Sequence, residues 1–237
     1  MNRRALALAG TAFALLLTAP AASAKGHLQA RPTLVELQPK AAAARLTLSN
    51  TGDEPVSAQV RVFAWTQQGG EDRLIATDQI VLSPPIVEVP AGGEQVVRIV
   101  RQSPAAKGSD QSYRLIVDEL PGAKGKSGTV SLRMRYVLPL FVRSAEATSP
   151  DLGCRLSAAI LTCDNKGGRA AQLGRTRLLD GKGNAVELSS GLFGYVLPGN
   201  QRQWTLDLDR LTSLSADLRL ESQLNGQPVT LPVARAR

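Results

Sequence analysis

Apolar side chains recur at every second residue along most of this 237-residue chain, and this alternation restricts the fold more than any other feature. Val56, Ala58, Val60 and Val62 share one face of the segment 56–65. A period of two is that of a β-strand, where successive side chains point to opposite faces. Clusters of Gly, Pro, Asn and Asp separate such segments, as turns do. We therefore predict an all-β fold.

The predicted strands form two groups on either side of a small, polar linker at 144–150. Seven strands at this spacing indicate an immunoglobulin-like sandwich, and shorter strands follow in a smaller β domain. We place the domains at 25–145 and 146–237. The predicted strands are 33–37, 45–49, 56–65, 74–81, 96–101, 113–120 and 129–143, then a hairpin at 155–163 and strands 169–179, 185–188, 203–208, 216–221 and 229–233.

The N-terminus has the pattern of a cleaved export signal. Arg3 and Arg4 precede an apolar run at 5–19, and Ala22-Ser23-Ala24 matches the small-x-small cleavage pattern. A membrane anchor or a buried helix is the alternative, but the run is short for a span of about 20 residues. We predict a signal peptide at 1–24 and an exported protein without membrane insertion.

Charge argues against nucleic-acid binding. The net charge is +8 for the whole chain and +6 without the predicted signal peptide, which contains Arg3 and Arg4. The basic residues are spread along the sequence. Nucleic-acid proteins cluster their cations and add aromatic stacking residues, whereas aromatics make up only 4% here. A solvated basic surface that suits acidic partners is the interpretation we prefer.

Cys154 and Cys163 are the two cysteines. They enclose a segment in which Leu156, Ala158 and Ile160 alternate, which is hairpin spacing, so we expect a disulfide between paired strands of an exported protein. A metal pair is the alternative, but the single histidine, His27, leaves it without further ligands. We expect no metal and no cofactor.

The segment 129–143 is unusually long for a strand, since five or six residues are typical. Val130, Leu132, Met134 and Tyr136 point one way, and Ser131, Arg133 and Arg135 point the other. Residues 137–142 are apolar on both faces except at Pro139, which indicates burial on both sides. Pro139 lacks an N–H and belongs on an edge or next to a bulge.

Two interpretations of this strand remain open. An edge strand with large apolar side chains is an aggregation hazard unless another chain pairs with it. The alternative is a long core strand of an ordinary sandwich, with the same side chains inside its own domain.

Several motifs, in order along the chain, together resemble the periplasmic chaperones of the chaperone–usher pilus pathway, and among them the divergent, archaic branch that serves spore-coat-U-type subunits. The motifs are Leu48-Ser49-Asn50 with Pro55, Ser83-Pro84-Pro85, Val97-Arg98-Ile99, Tyr113-Arg114-Leu115, Asp118-Glu119-Leu120-Pro121 and Leu138-Pro139-Leu140-Phe141-Val142-Arg143.

The resemblance implies two immunoglobulin-like domains in a boomerang arrangement. It also implies a non-enzymatic function: capping pilus subunits that lack a strand and delivering them to an outer-membrane usher. The strand-donating residues would be Val130, Leu132, Met134 and Tyr136. An interdomain salt bridge would join Glu119 to Arg143, with Asp217 as the nearest third member.

The sequence departs from the family where a subunit's C-terminal carboxylate is bound. The usual Arg and Lys positions are occupied by Leu34 and Pro139. A guanidinium can bind a carboxylate with two parallel hydrogen bonds, so the remaining candidates are arginines: Arg31, Arg98, Arg101, Arg133 and Arg135.

Two other classes of function compete with this interpretation. An exported immunoglobulin-like adhesion or binding module would lack strand donation and would use 130–136 as ordinary core. An enzyme is disfavoured by the single histidine and by the absence of a nucleophile elbow or a Gly-rich phosphate loop in the sequence.

Overall fold

The predicted alternation appears as seventeen strands and one short helix in residues 27–121, 132–215 and 217–235, which are the residues described by the computed structural model. The predicted signal peptide and Val130 lie outside these ranges. The all-β prediction is confirmed, in two domains with a core each.

The first domain is a sandwich of two sheets. One has the strand order β1-β3-β8-β6, and the other has the order β2-β10-β9-β4-β5, with β7 also pairing with β4. The first core lies between them. The strands are β1 (Leu28–Arg31), β2 (Val35–Leu37), β3 (Ala43–Asn50), β4 (Val56–Gln68), β5 (Glu71–Ala76), β6 (Ile80–Ser83), β7 (Ile86–Val89), β8 (Glu94–Arg101), β9 (Gln111–Glu119) and β10 (Arg135–Val142).

The second domain is a seven-stranded sheet in the order β14-β13-β16-β17-β11-β12-β15, which surrounds the second core. The predicted hairpin at 155–163 is present, with Cys154 directly opposite Cys163. The elements are β11 (Leu152–Ser157), β12 (Ile160–Asn165), β13 (Ala171–Leu179), β14 (Ala185–Val196), β15 (Gln201–Thr205), α1 (Leu208–Leu211), β16 (Leu218–Leu224) and β17 (Gln227–Arg235).

Some strand limits differ from the prediction. The segment 74–81 is divided between β5 and β6, which belong to different sheets. The first domain also contains β1 and β7, which were not predicted. These strands have four residues each, and so short a segment contains too few alternations to stand out from a loop. The domain limits 25–145 and 146–237 stay predictions.

An aromatic cluster joins the domains. Trp65 of β4 and Phe141 of β10 pack against Tyr195 of β14, with ring centroids 5.2 and 6.1 Å from the Tyr195 ring. The side chain of Gln67 lies beside them, donates to the Tyr195 carbonyl at 2.8 Å and accepts from Leu197 N at 2.9 Å. The two domains are therefore joined by buried apolar and polar contacts.

Candidate functional site

The candidate site begins where the chain enters β10. Leu132 is 87% exposed and Met134 is 43% exposed, and both precede the strand, which starts at Arg135. Among the described residues of the predicted strand 129–143, residues 132–134 therefore lie outside the observed strand. Val137, expected to be buried, is 49% exposed, whereas Leu138–Val142 are buried.

Strand pairing leaves one edge of β10 open. β9 pairs with β10 over its whole length, but β2 pairs only with Leu140, Phe141 and Val142. Within the described part of the chain, residues 135–139 therefore have a strand neighbour on the β9 side alone. Pro139 lies in this half, as its missing N–H predicts.

The row of apolar residues predicted from alternation is divided by the structure. Tyr136 packs against the first core, and its hydroxyl donates to the Leu28 carbonyl at 2.5 Å. Leu132 and Met134 instead lie outside the core. Tyr136 therefore closes the edge of its own sandwich, and Leu132 and Met134 are the described members of the row that are available to a partner.

Two acids of β9 hold the entrance of β10 in place. Glu119 N donates to the Met134 carbonyl at 3.0 Å, and a Glu119 carboxylate oxygen accepts from Met134 N at 3.1 Å. Asp118 accepts from Arg135 and, at 2.7 Å, from Arg61. Burial alone would raise the pKa of Asp118, but the two guanidinium groups outweigh it and lower that pKa. Asp118 therefore stays ionised.

The five arginine candidates do not form one site. Arg31 bonds to Glu94 on the surface at 3.3 Å, and Arg101 donates to the Pro39 carbonyl at 2.7 Å. Arg98 is exposed on β8 opposite Arg45. The remaining two, Arg133 and Arg135, lie at the entrance of β10.

The predicted salt bridge requires a correction. Arg143 donates to Asp110 at 2.5 Å and to Glu36, whereas Glu119 lies at the opposite end of the β9–β10 pair. The antiparallel register explains this difference, because it pairs Val142 with Gln111 and so brings the next residue beside Asp110. Burial by itself would lower the pKa of Arg143. The bonds to Glu36 and Asp110 have the larger effect, so the pKa of Arg143 is raised.

A cavity of about 410 Å³ lies between the domains, next to this ion network. Leu34 lines it, at one of the positions where the resemblance places an anchoring cation, and so contributes no charge. Arg169 also lines it, and its side chain has no hydrogen-bond or ion-pair partner among the described residues. Sequence reasoning missed Arg169 because nothing in its local pattern distinguishes it from a solvated surface charge.

A cation–π contact adds to the aromatic cluster between the domains. The Arg114 guanidinium lies 3.5 Å from the centroid of the Trp65 ring and 5.3 Å from that of Tyr195. Burial lowers the pKa of Arg114, although the charges of Asp72 and Tyr195 oppose this. In a desolvated site a guanidinium over an aromatic face contributes on the order of 2 kcal/mol.

No group of three or more potential metal ligands occurs in 27–121, 132–215 or 217–235. Within the same ranges, no helix has the length and apolar character of a membrane span. The one disulfide predicted from spacing, Cys154–Cys163, is confirmed.

Comparison with solved structures finds the same two-domain architecture in pilus chaperones. The chaperone–tip adhesion subunit complex of archaic Csu pili from Acinetobacter baumannii contains a similar chain with 25% identity and a TM-score of 0.71, covering 90% of this chain and 100% of that one. The Escherichia coli chaperone DraB has 17% identity and a TM-score of 0.62, with coverage of 90% and 98%. The Salmonella enterica complex of SafA pilin with the SafB chaperone matches at 15% identity and a TM-score of 0.62, with coverage of 87% and 95%.

No curated protein sequence matches the chain. A family model for the pili and flagellar-assembly chaperones, PapD N-terminal domain, matches residues 27–147. That match includes all ten strands of the first domain and the whole entrance of β10. The chain therefore belongs to the pili and flagellar-assembly chaperone family.

Proposed function

We propose that the chain is a periplasmic chaperone that binds pilus subunits by lending them the edge of β10 and passes them to an outer-membrane usher. The observation that most supports strand donation is the exposure of Leu132 and Met134 next to a half-open strand edge. Family membership supports the role in pilus assembly, and the similar chains in complexes with a pilin and with a tip adhesion subunit support the class of partner.

The physical reason for donation is the cost of an incomplete sheet. A subunit that lacks one strand exposes unpaired backbone groups and an apolar groove, and both favour aggregation. Pairing with residues 132–139 would satisfy the backbone groups, and inserting Leu132 and Met134 would contribute about 1.5–3 kcal/mol each before ordering costs. Donation and replacement need no nucleotide and no catalytic group.

Electrostatics supports a second part of the proposal. The guanidinium of Arg169 has no partner among the described residues and borders a cavity large enough for the end of a chain. We place the binding of the subunit's C-terminal carboxylate there, because a guanidinium binds a carboxylate in two parallel bonds. An Arg169→Gln variant should fold normally and bind its subunit at least about tenfold more weakly. Unchanged affinity would contradict this placement and would leave the five arginines named from the sequence as the candidates for carboxylate binding.

The test of strand donation uses a double variant, Leu132→Asp with Met134→Asp. We expect it to fold like the wild type, because both side chains lie outside the core, and to lose co-purification with its co-expressed pilus subunit. Ile160→Asp is the matched control, since Ile160 is also 43% exposed but lies in the second domain. Binding by the double variant at the wild-type level would refute donation, and unfolding of its first domain would favour the adhesion-module alternative.

A further inference from the structure

Met134 is the one methionine of the chain apart from Met1. It is 43% exposed, and both its backbone groups are bonded to Glu119. The backbone beneath the thioether is therefore held in one place while the side chain remains in contact with solvent. Cys154 and Cys163 are joined in a disulfide, so Met134 is the accessible reduced sulfur among the described residues.

The surroundings of Met134 are rich in hydrogen-bond donors. It lines a depression of about 570 Å³ together with Arg61, Arg133 and Arg135, and with the carboxylates of Asp118 and Glu119. The Nε of Arg61 is buried and has no hydrogen-bond partner in the described part of the chain. The side chain of Arg133 likewise has no described partner. A thioether sulfur is a weak acceptor and satisfies such donors poorly.

We propose that Met134 is a site of two-electron oxidation whose sulfoxide switches off subunit binding, an inference that rests on the function proposed above. Hydrogen peroxide supplies the oxidant. A sulfur lone pair attacks one peroxide oxygen, and the S–O bond forms as the O–O bond breaks. The hydroxyl group now on sulfur gives its proton to the departing hydroxide, which leaves as water and leaves the sulfoxide behind. The new oxygen is a strong acceptor in the same depression as the guanidinium groups of Arg61 and Arg133.

Oxidation converts an apolar side chain into a polar one at a position that must enter an apolar groove. The sulfoxide would have to leave its hydrogen-bond donors and enter the groove without replacements, so we expect binding to weaken roughly tenfold to hundredfold. A bound subunit that buries Met134 also shields its sulfur from peroxide, so we expect oxidation to be slower in the complex. The switch therefore acts on the free chaperone, and methionine sulfoxide reduction restores binding.

The experiment treats the folded, full-length protein with hydrogen peroxide and identifies the sulfoxide by peptide mass spectrometry. Far-ultraviolet circular dichroism checks that the fold is retained. Binding of the co-expressed pilus subunit is then measured before treatment, after treatment and after enzymatic reduction. The comparison is repeated with Met134→Leu, whose own affinity serves as its reference, and with a preformed chaperone–subunit complex.

We expect a sulfoxide at Met134, a tenfold or greater loss of binding that reduction reverses, no effect of peroxide on the leucine variant, and slower oxidation in the complex. Full binding by the sulfoxide form, or an equal loss in the leucine variant, would overturn this inference alone. If the untreated protein does not bind the subunit, the proposed function fails and this inference fails with it.

Discussion

Arg143 donates to the completely buried carboxylate of Asp110 at 2.5 Å, and this pair connects the residue that follows β10 to the residue that precedes β9. The same carboxylate accepts from Ser144 N at 2.8 Å, which is where the linker to the second domain begins. The other amino group of the Arg143 guanidinium donates to the carboxylate of Glu36. Asp110 therefore fixes the direction in which the chain leaves the first domain.

We expect Asp110→Ala to destabilise the protein by about 3 kcal/mol, because removing one partner leaves Arg143 insufficiently paired in a largely buried position. Chemical denaturation at neutral pH measures this. Glu221→Gln is the control, since it breaks the surface pair with Arg177 and should cost less than about 1 kcal/mol. Equal small effects in both variants would show that the buried network does not stabilise the fold.

Gln67 connects the domains through its side-chain amide, with bonds to the Tyr195 carbonyl and to Leu197 N. Gln67→Ala would leave both backbone groups buried without this partner, at a cost of about 1–3 kcal/mol. We expect lower stability and a wider distribution of interdomain distances by small-angle scattering or spin-label measurements. The exposed neighbour Gln68→Ala serves as control, and a distribution identical to the wild type would mean that the aromatic cluster alone fixes the domains.

The disulfide joins directly opposed residues of β11 and β12 inside the second core. Closing a loop of about ten residues restricts the unfolded chain by roughly 2.5–3 kcal/mol. The double variant Cys154→Ala with Cys163→Ala should therefore unfold at a lower denaturant concentration. Wild-type protein under reducing conditions should shift in the same direction, and a shift in neither case would contradict this contribution.

The carboxylate of Asp180 holds the turn between β13 and β14 and the residues before β16. It accepts from the backbone N–H and the hydroxyl of Ser215, and from the backbone and side-chain amides of Asn184. Hydrogen bonds from Ser215 and Asn184 lower its pKa well below the usual value, against the opposing effect of burial.

Because the folded pKa of Asp180 lies below the unfolded one, its stabilising effect is present above pH 4 or so and is lost as the pH falls further. Asp180→Asn should therefore unfold at a lower temperature than the wild type at pH 7, and the difference should shrink by pH 3. Thermal unfolding at both pH values measures this. A difference that stays constant between pH 7 and pH 3 would exclude ionisation of Asp180 as the cause.

Several features were predictable because they depend on local pattern. The alternation at 56–65 predicted most of β4, and the spacing of Cys154 and Cys163 was that of a hairpin. The motifs around Ser83-Pro84-Pro85 and Leu138-Pro139-Leu140 indicated the chaperone family, which the family comparison confirmed. Burial at 138–142 also followed from the sequence, since both faces of that segment are apolar.

Pairings between distant strands were not predictable in the same way. Alternation predicts which face Leu132, Met134 and Tyr136 share, but only the tertiary structure decides that Tyr136 turns into its own core while the other two stay outside. The partner of Arg143 was likewise chosen by the register of β9 and β10, which is a relationship between residues 33 positions apart.

The sequence by itself determined that this chain is an all-β protein with a cysteine hairpin and an apolar strand segment at 138–142, because period, spacing and turn chemistry act over a few residues. Only the tertiary structure decided which residues meet, such as Arg143 with Asp110 and Gln67 with Leu197. It also decided that, among the described residues, β10 has an open strand edge beside Leu132 and Met134. The physical reason is that strand register and domain packing minimise the free energy of the whole chain, and no local segment contains that information.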